Sequence, residues 1–308
     1  MGTNLLKRLE KDNHEICLFT RDWTESDILD FNPNFIFHFA GEIRDEEKMI
    51  GSNLGLTYRL LQIILKLKDF KGMITLGSSS EYGVKRKPMK ESDLLNPNHL
   101  YGSTKAASTL LCLGFAREHN LPISIIRPFS VYGYYDHNYK FIPTIFSKMI
   151  QKEIINVCYG NHDWIFCDDF IDLVIRVFQN IKIGDVINAG TGIQTSNIAL
   201  VRIFEKLLKQ NAELIEVPGF KNFDSVYWVS NSNYAEKVYG WKAKTSLEEG
   251  ITKYITLSII LTSSTILNVP FCAKLIGLIK LSSYIFNIVS IVLSMWYFSG
   301  RAIVFLLS

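Results

Sequence analysis

Three residues of this 308-residue chain have the types and spacing for proton chemistry: Ser78, Tyr101 and Lys105. Tyr101 and Lys105 stand at i and i+4, so a helix puts them on one face, a single turn apart. An ammonium close to a phenol favours the phenolate and lowers a pKa that is about 10 when unperturbed. Such a phenol can exchange a proton with a substrate hydroxyl while hydride moves to or from a nicotinamide. Ser78 lies just past the apolar run 73–76, where it would share that hydroxyl. Alone, a Tyr-xxx-Lys pair is weak, and a surface tyrosine beside a solvated lysine is its commoner meaning. The context adds weight, because GSSSEYG (77–83) precedes the pair and RPFSVYG (127–133) ends the next strand.

The elements that must position these residues follow from the apolar periodicity. Runs 15–20, 35–39, 73–76 and 123–126 read as strands, while 50–68 and 101–119 carry apolar residues at helical spacing. Apolar strands alternating with helices predict a parallel sheet covered on both faces, with ligands at the carboxyl ends of the strands. Beyond Pro143 the pattern loosens into helices 144–152, 169–180 and 196–209, and strands near 155–157, 164–167 and 186–189. The expected organisation is a dinucleotide-binding domain over 1–143, to which parts of 160–200 return. A smaller substrate lobe covers 144–253, and an apolar tail covers 254–308.

Composition narrows the class. A net charge of +3 with no basic stripe argues against a nucleic-acid partner. Five scattered cysteines without CxxC spacing argue against a disulfide framework or a zinc site and favour a reducing, cytoplasmic compartment. The first residues carry no apolar signal core. After Glu249, however, no acidic residue occurs, and the uncharged stretches 254–273 and 281–300 are each long enough for a bilayer core of about 30 Å. Membrane contact through this tail and an apolar packing extension are both open readings.

Taken together, HFAGE (38–42), NLGLT (53–57), GSSSEYG (77–83), YGSTK (101–105), RPFSVYG (127–133), HDWIFCDDFID (162–172), NAGTGIQTS (188–196) and YGWKAKTSLEEGI (239–251) resemble the extended short-chain dehydrogenase/reductase family. These are the NAD(P)-dependent sugar-nucleotide epimerases, dehydratases and reductases, UDP-glucose 4-epimerase among them. The order and spacing of the segments cover residues 2 to about 253. The resemblance implies a Rossmann-like, doubly wound parallel α/β sheet, a nicotinamide cofactor, a nucleotide-sugar substrate and a homodimer. It implies Tyr101 as acid/base, Lys105 holding the cofactor ribose and lowering the tyrosine pKa, and Ser78 binding the reacting hydroxyl. Phe129, Ser130 and Val131 would lie against the nicotinamide, with Ala40 and Gly41 near the cofactor phosphates and ribose.

Departures from the family narrow the reaction. Dehydratases of the family carry an Asp-Glu pair where this chain has Ser79 and Ser80, so no carboxylate stands there for elimination. What remains is hydride transfer at sugar C4, as a 4-epimerisation or a 4-keto reduction. His162 stands where the family commonly has an arginine for the diphosphate, and Lys221 and Asp224 lie where it has Arg-Pro-Gly-Asp. Lysine or histidine does not reproduce a bidentate guanidinium.

The beginning of the chain departs further. Gly2 resembles the last glycine of the family's G-x-x-G-x-x-G turn, and the strand and two glycines ahead of it are missing. That strand belongs in the middle of the sheet, so its neighbours are expected to lose a ladder partner and cofactor affinity to suffer. A misplaced start or a gene fragment would account for it. Arg21, after the strand 15–20, could accept a 2′-phosphate, so NAD is expected with NADP close behind. The span 22–34 leaves little room for a further strand and crossover helix. The alternative to an active enzyme is a cofactor-deficient, non-catalytic remnant or a membrane-tethered binding protein.

Overall fold

The run Gly72–Leu76 is buried at all five positions, as a strand must be when helices cover both faces of its sheet. A computed structural model describes residues 1–12, 14–19, 23–218, 226–265 and 301–305 of the chain. The order begins with α1 (Gly2–Lys11), β1 (Glu15–Phe19), α2 (Glu25–Phe31), β2 (Phe35–His38) and α3 (Glu46–Met49). A π-helical turn, Ile50–Gly55, joins α3 to α4 (Leu56–Ile64). Then come β3 (Gly72–Leu76), a 3-10 turn Ser79–Tyr82, α5 (Leu100–Glu118), β4 (Ile123–Pro128) and β5 (Ser130–Tyr132). Next are α6 (Phe141–Gln151), β6 (Ile155–Cys158), β7 (Asn161–Phe166), α7 (Cys167–Gln179) and β8 (Asp185–Ala189). The chain continues through β9 (Gln194–Ser196), α8 (Asn197–Leu208), β10 (Leu214–Val217), α9 (Asn233–Tyr239), α10 (Leu247–Thr265) and β11 (Arg301–Phe305).

Six strands form one parallel sheet in the order β1-β11-β2-β3-β4-β8. The Rossmann-like sheet expected from the sequence is therefore present. The expectation of a lost ladder partner is not met, because β11 lies between β1 and β2. Cys17 pairs with Ile303 on one side, and Ile36 pairs with the same residue on the other. The ladder donors and acceptors that β1 and β2 turn toward each other are thus satisfied by a strand from the far end of the chain. As expected, the span 22–34 holds no further strand among the described residues; the seven-residue α2 alone makes the crossover from the edge strand β1. Thr24 caps α2 through a reciprocal box with Asp27 that the sequence reading passed over.

Helices pack both faces. One core joins Leu5 and Leu9 of α1 to Phe170 and Val174 of α7, over Ile74 and Ile126 of the sheet. The other sets Leu60 and Ile64 of α4 and Cys112 of α5 against Ile36, Met73 and Ile125. The lobe has its own core, in which Ile145, Val157, Phe166 and Phe204 meet Ile251, Ile255 and Ile259 of α10. Those three isoleucines recur every fourth residue, the spacing of one helix face. Thus α10 runs through residue 253, where the apolar tail was expected to begin, and at least to Ile259 its buried face belongs to the lobe. Among the described residues no helix is long and apolar enough to cross a membrane. The stretch 281–300 and the end of 254–273 lie outside them.

Truncating Ile255 to alanine should open a cavity between α10 and the lobe and cost about 2–5 kcal/mol. Urea unfolding of the two proteins measures it, and an unchanged midpoint would show that α10 is not packed there.

Candidate active site

Strand β3 delivers Ser78 to the carboxyl edge of the sheet, and the turn that follows is built around one buried carboxylate. Glu81 is fully buried; its Oε1 accepts from the Ser78 N–H at 2.7 Å and from Thr109 Oγ1 at 3.0 Å. Its Oε2 accepts from Arg127 Nε at 2.8 Å, a pair in which both side chains are shielded from water. Burial pushes the Glu81 carboxyl up, and the charges of Arg127 and then Lys105 pull it back. Arg127 also donates to the hydroxyl of Tyr82 at 2.9 Å, and Tyr82 donates to Asn188 Oδ1 at 2.7 Å. One network therefore ties β3, α5, β4 and β8 together behind the serine.

Tyr101 enters from the first turn of α5, which His99 caps by accepting from the Gly102 N–H at 3.1 Å. The helix comes so close to the serine turn that a Cβ on Gly102 would stand 2.6 Å from the Ser80 carbonyl oxygen. Only glycine permits that approach. Tyr101 and Ser78 share a side-chain hydrogen bond. Burial pushes the phenol up to about 12, with the Ser78 bond opposing. The expected effect of Lys105 on the phenol is not seen. Its charge acts instead on Glu81, His38 and Cys112.

Lys105 is itself buried. Burial lowers its pKa, against the attraction of Glu81. A Cβ placed on Gly41 would come 4.0 Å from Lys105 Nζ and 3.2 Å from Asn53 Oδ1. An ammonium donor this close to the exposed Gly41 after β2 fits the hydroxyls of a nucleotide ribose. Ala40 is buried beside it. The β2 end is fixed by residues the sequence reading did not single out. Asn53 binds both the N–H and the C=O of Glu42 and donates to Thr104 at 2.9 Å. His38 Nε2 meets Thr57 Oγ1 at 2.9 Å, and Thr57 meets Ser108 at 2.9 Å.

Other expected residues come from the far side. Phe129 is buried beside Tyr82, Met89 and Trp228, and Val131 packs against both the main core and the lobe. Ser130 Oγ lies 3.1 Å from His162 Nδ1, so a residue expected at the cofactor meets one expected at the substrate. Ser79 accepts from the indole N–H of Trp228 at 3.1 Å, and Ser80 is buried beside it in the turn. Trp228 carried no signal, since no spacing rule links residues 149 positions apart. Neither did Asp163 as a brace: it is buried and accepts from Thr191 N and Oγ1, Gly192 N and Ser230 N at 2.6–3.0 Å. Gly2 is buried in the first turn of α1. Arg21, Lys221 and Asp224 lie outside the described residues. No cluster that could hold a metal ion occurs among the described residues.

The family model for the NAD-dependent epimerase/dehydratase family matches residues 1–190. The low-salt glycan biosynthesis protein Agl12 of Haloferax volcanii is 27% identical over 80% of this chain and 83% of its own. A dTDP-glucose 4,6-dehydratase of Mycolicibacterium smegmatis is 25% identical, covering 71% of this chain and 70% of its own. Among solved structures, a UDP-glucuronic acid 4-epimerase from Bacillus cereus, in complex with UDP-glucuronic acid and NAD, superposes with a TM-score of 0.72. It is 22% identical and covers 78% of this chain and 79% of that one.

Burial holds the His38 imidazole down at about 3, with the Lys105 charge adding to the effect. The folded protein therefore keeps His38 neutral while the unfolded chain protonates near 6.5. That stability is present above pH 6.5 and is lost as pH falls toward 3. Between pH 7.5 and pH 5 the loss should be about 2 kcal/mol from this residue. Denaturation of wild type and His38→Gln at both pH values isolates it; equal pH dependence in the two would refute the assignment.

Proposed function

Because this chain belongs to the NAD-dependent epimerase/dehydratase family, we propose that it is a sugar-nucleotide 4-epimerase or 4-ketoreductase that exchanges hydride at C4. The observation that carries this reading is the state of Glu81. It is the one carboxylate in the turn 77–83, and both its oxygens are engaged by Ser78, Thr109 and Arg127. A carboxylate bound in that way has no free oxygen to take a proton from sugar C5 or to give one to a departing hydroxyl. Ser79 and Ser80 cannot replace it, since a hydroxyl near its ordinary pKa is a poor acid and base. The elimination performed by 4,6-dehydratases therefore lacks its groups, and C4 oxidation or reduction remains.

In this mechanism Ser78 orients the C4 hydroxyl through the hydroxyl it already shares with Tyr101. Tyr101 Oη takes the hydroxyl proton as the C4–H bond breaks, and returns it when hydride comes back. Bound nicotinamide supplies the hydride acceptor and donor. Lys105 would meet the ribose hydroxyls, and Phe129, Ser130 and Val131 would lie against the nicotinamide and limit its access to water. The high pKa of Tyr101 without ligand makes it a neutral phenol at rest, so it starts as an acid toward a C4 ketone. A 4-epimerase needs the phenolate first, and a cation brought near the phenol would produce it. NAD is the favoured cofactor and NADP the alternative. His162, Lys221 and Asp224 remain candidates for holding the diphosphate.

A homodimer through α4 and α5 is part of the same reading. Tyr58 and Leu110 stand half or more exposed on these two helices, an apolar surface that a partner would cover. Leu110→Glu should then give a monomer in sedimentation, where wild type gives a dimer.

Tyr101→Phe should lower turnover of UDP-glucose or UDP-glucuronic acid by about 10²–10⁴-fold while NADH affinity stays within about twofold. Product analysis should show C4 epimers or C4 alcohols and no 6-deoxy sugar. Release of a 4-keto-6-deoxy product would sink the proposal.

A further inference from the structure

The sheet takes its central strand from the C-terminal end of the chain. Strand β11 runs parallel to both neighbours, with Glu15 to Phe19 of β1 paired in order with Arg301 to Phe305. On its other edge Ala302 to Phe305 pair with Phe35 to His38. It ends at Phe305, opposite Phe19 and His38, so it finishes level with the edge that carries Ala40 and Gly41. Helix α1 leads back along the sheet into β1, and so begins at that same carboxyl edge. Strand β11 and α1 thus stand as the strand and helix of a parallel βα unit, although they are joined by no turn and lie at opposite ends of the sequence. In dinucleotide-binding sheets the junction of such a unit is where backbone N–H groups and a helix start receive the pyrophosphate.

We infer that β11 is an in-chain docking strand whose seating between β1 and β2 assembles the cofactor floor, so that strand docking and dinucleotide binding are coupled. Two independent features support it. The register is continuous on both edges, with no bulge, which a segment merely lying against the sheet would not achieve. The slot also sits between two strands that are otherwise joined only by the short crossover α2. Without β11, each would show an unpaired edge inside the sheet rather than at its rim. By linkage, anything that withdraws the strand weakens cofactor binding, and cofactor in turn holds the strand in place. The coupling rests on the nicotinamide reading above; the place of the strand does not.

The register supplies its own test. Cys17 is the Cα partner of Ile303, and neighbouring strands lie about 4.8 Å apart, inside the span that a disulfide bridges. Full-length Ile303→Cys, oxidised with diamide, should yield the peptide containing residue 17 linked to that containing residue 303, in a protein of monomer mass. Val304→Cys, whose partner is Leu18, should link to Cys17 far less. Absence of the link overturns the strand's place, and a link between two copies overturns docking within one chain. The second measurement is NADH titration of Ile303→Pro, which removes a ladder N–H from the middle of the strand. At least a tenfold loss of affinity relative to wild type is expected, and unchanged affinity overturns the coupling. If wild type itself fails to bind NADH or NADPH, the cofactor reading falls while the cross-link still decides where β11 lies.

Discussion

Everything at the catalytic edge depends on how Glu81 is held. Its carboxylate fixes the backbone of Ser78, reaches α5 through Thr109 and is paired with Arg127 from β4. Removing one partner of such a buried pair costs about 3–5 kcal/mol, because the other charge is left in a medium that cannot solvate it. The turn is therefore rigid for electrostatic reasons, and the serine inherits that rigidity. On the proposed reading the same interaction also bears on the chemistry, since a carboxylate engaged in structure is withdrawn from acid/base use.

The second constraint is that the site is shared between the sheet and the lobe. Trp228 reaches from the segment before α9 to Ser79, and Ser130 meets His162 at 3.1 Å. Asp163 braces that arrangement by gathering four donors from two loops. A buried acceptor with so many partners holds its loops at fixed spacing, which on the proposed reading would help present a sugar in the right geometry.

How much of this was legible in the sequence varies by the range of the interaction. The parallel sheet, the strands 35–39 and 73–76, and the approach of Tyr101 to Ser78 follow from local periodicity and short motifs. Boundaries drifted where caps were overlooked: His99 starts α5 one residue before the expected Tyr101, and Asp45 starts the helical run 46–64 ahead of the expected Ile50. The role of Glu81 was hidden because the motif draws the eye to its serines, while the partners of Glu81 lie 28 and 46 residues away. The Lys105 effect on the phenol was read from helical spacing and from the family resemblance, while in the fold its charge acts on Glu81 and His38. Least legible was β11, since four apolar residues behind Arg301 in an apolar tail carry no sign of which sheet they join.

That last placement shapes the life of the nascent chain. Residue 17 must find residue 303 as its neighbour, which puts the centre of the sheet among the most non-local contacts of the described residues. At about 5–20 residues per second, the ribosome leaves β1 and β2 waiting for on the order of tens of seconds before β11 emerges. During that wait two strand edges face each other across an open gap, attractive to any extended chain nearby. Such a protein should therefore be slow to mature and should lean on holdase chaperones during synthesis, even if its finished state is well packed.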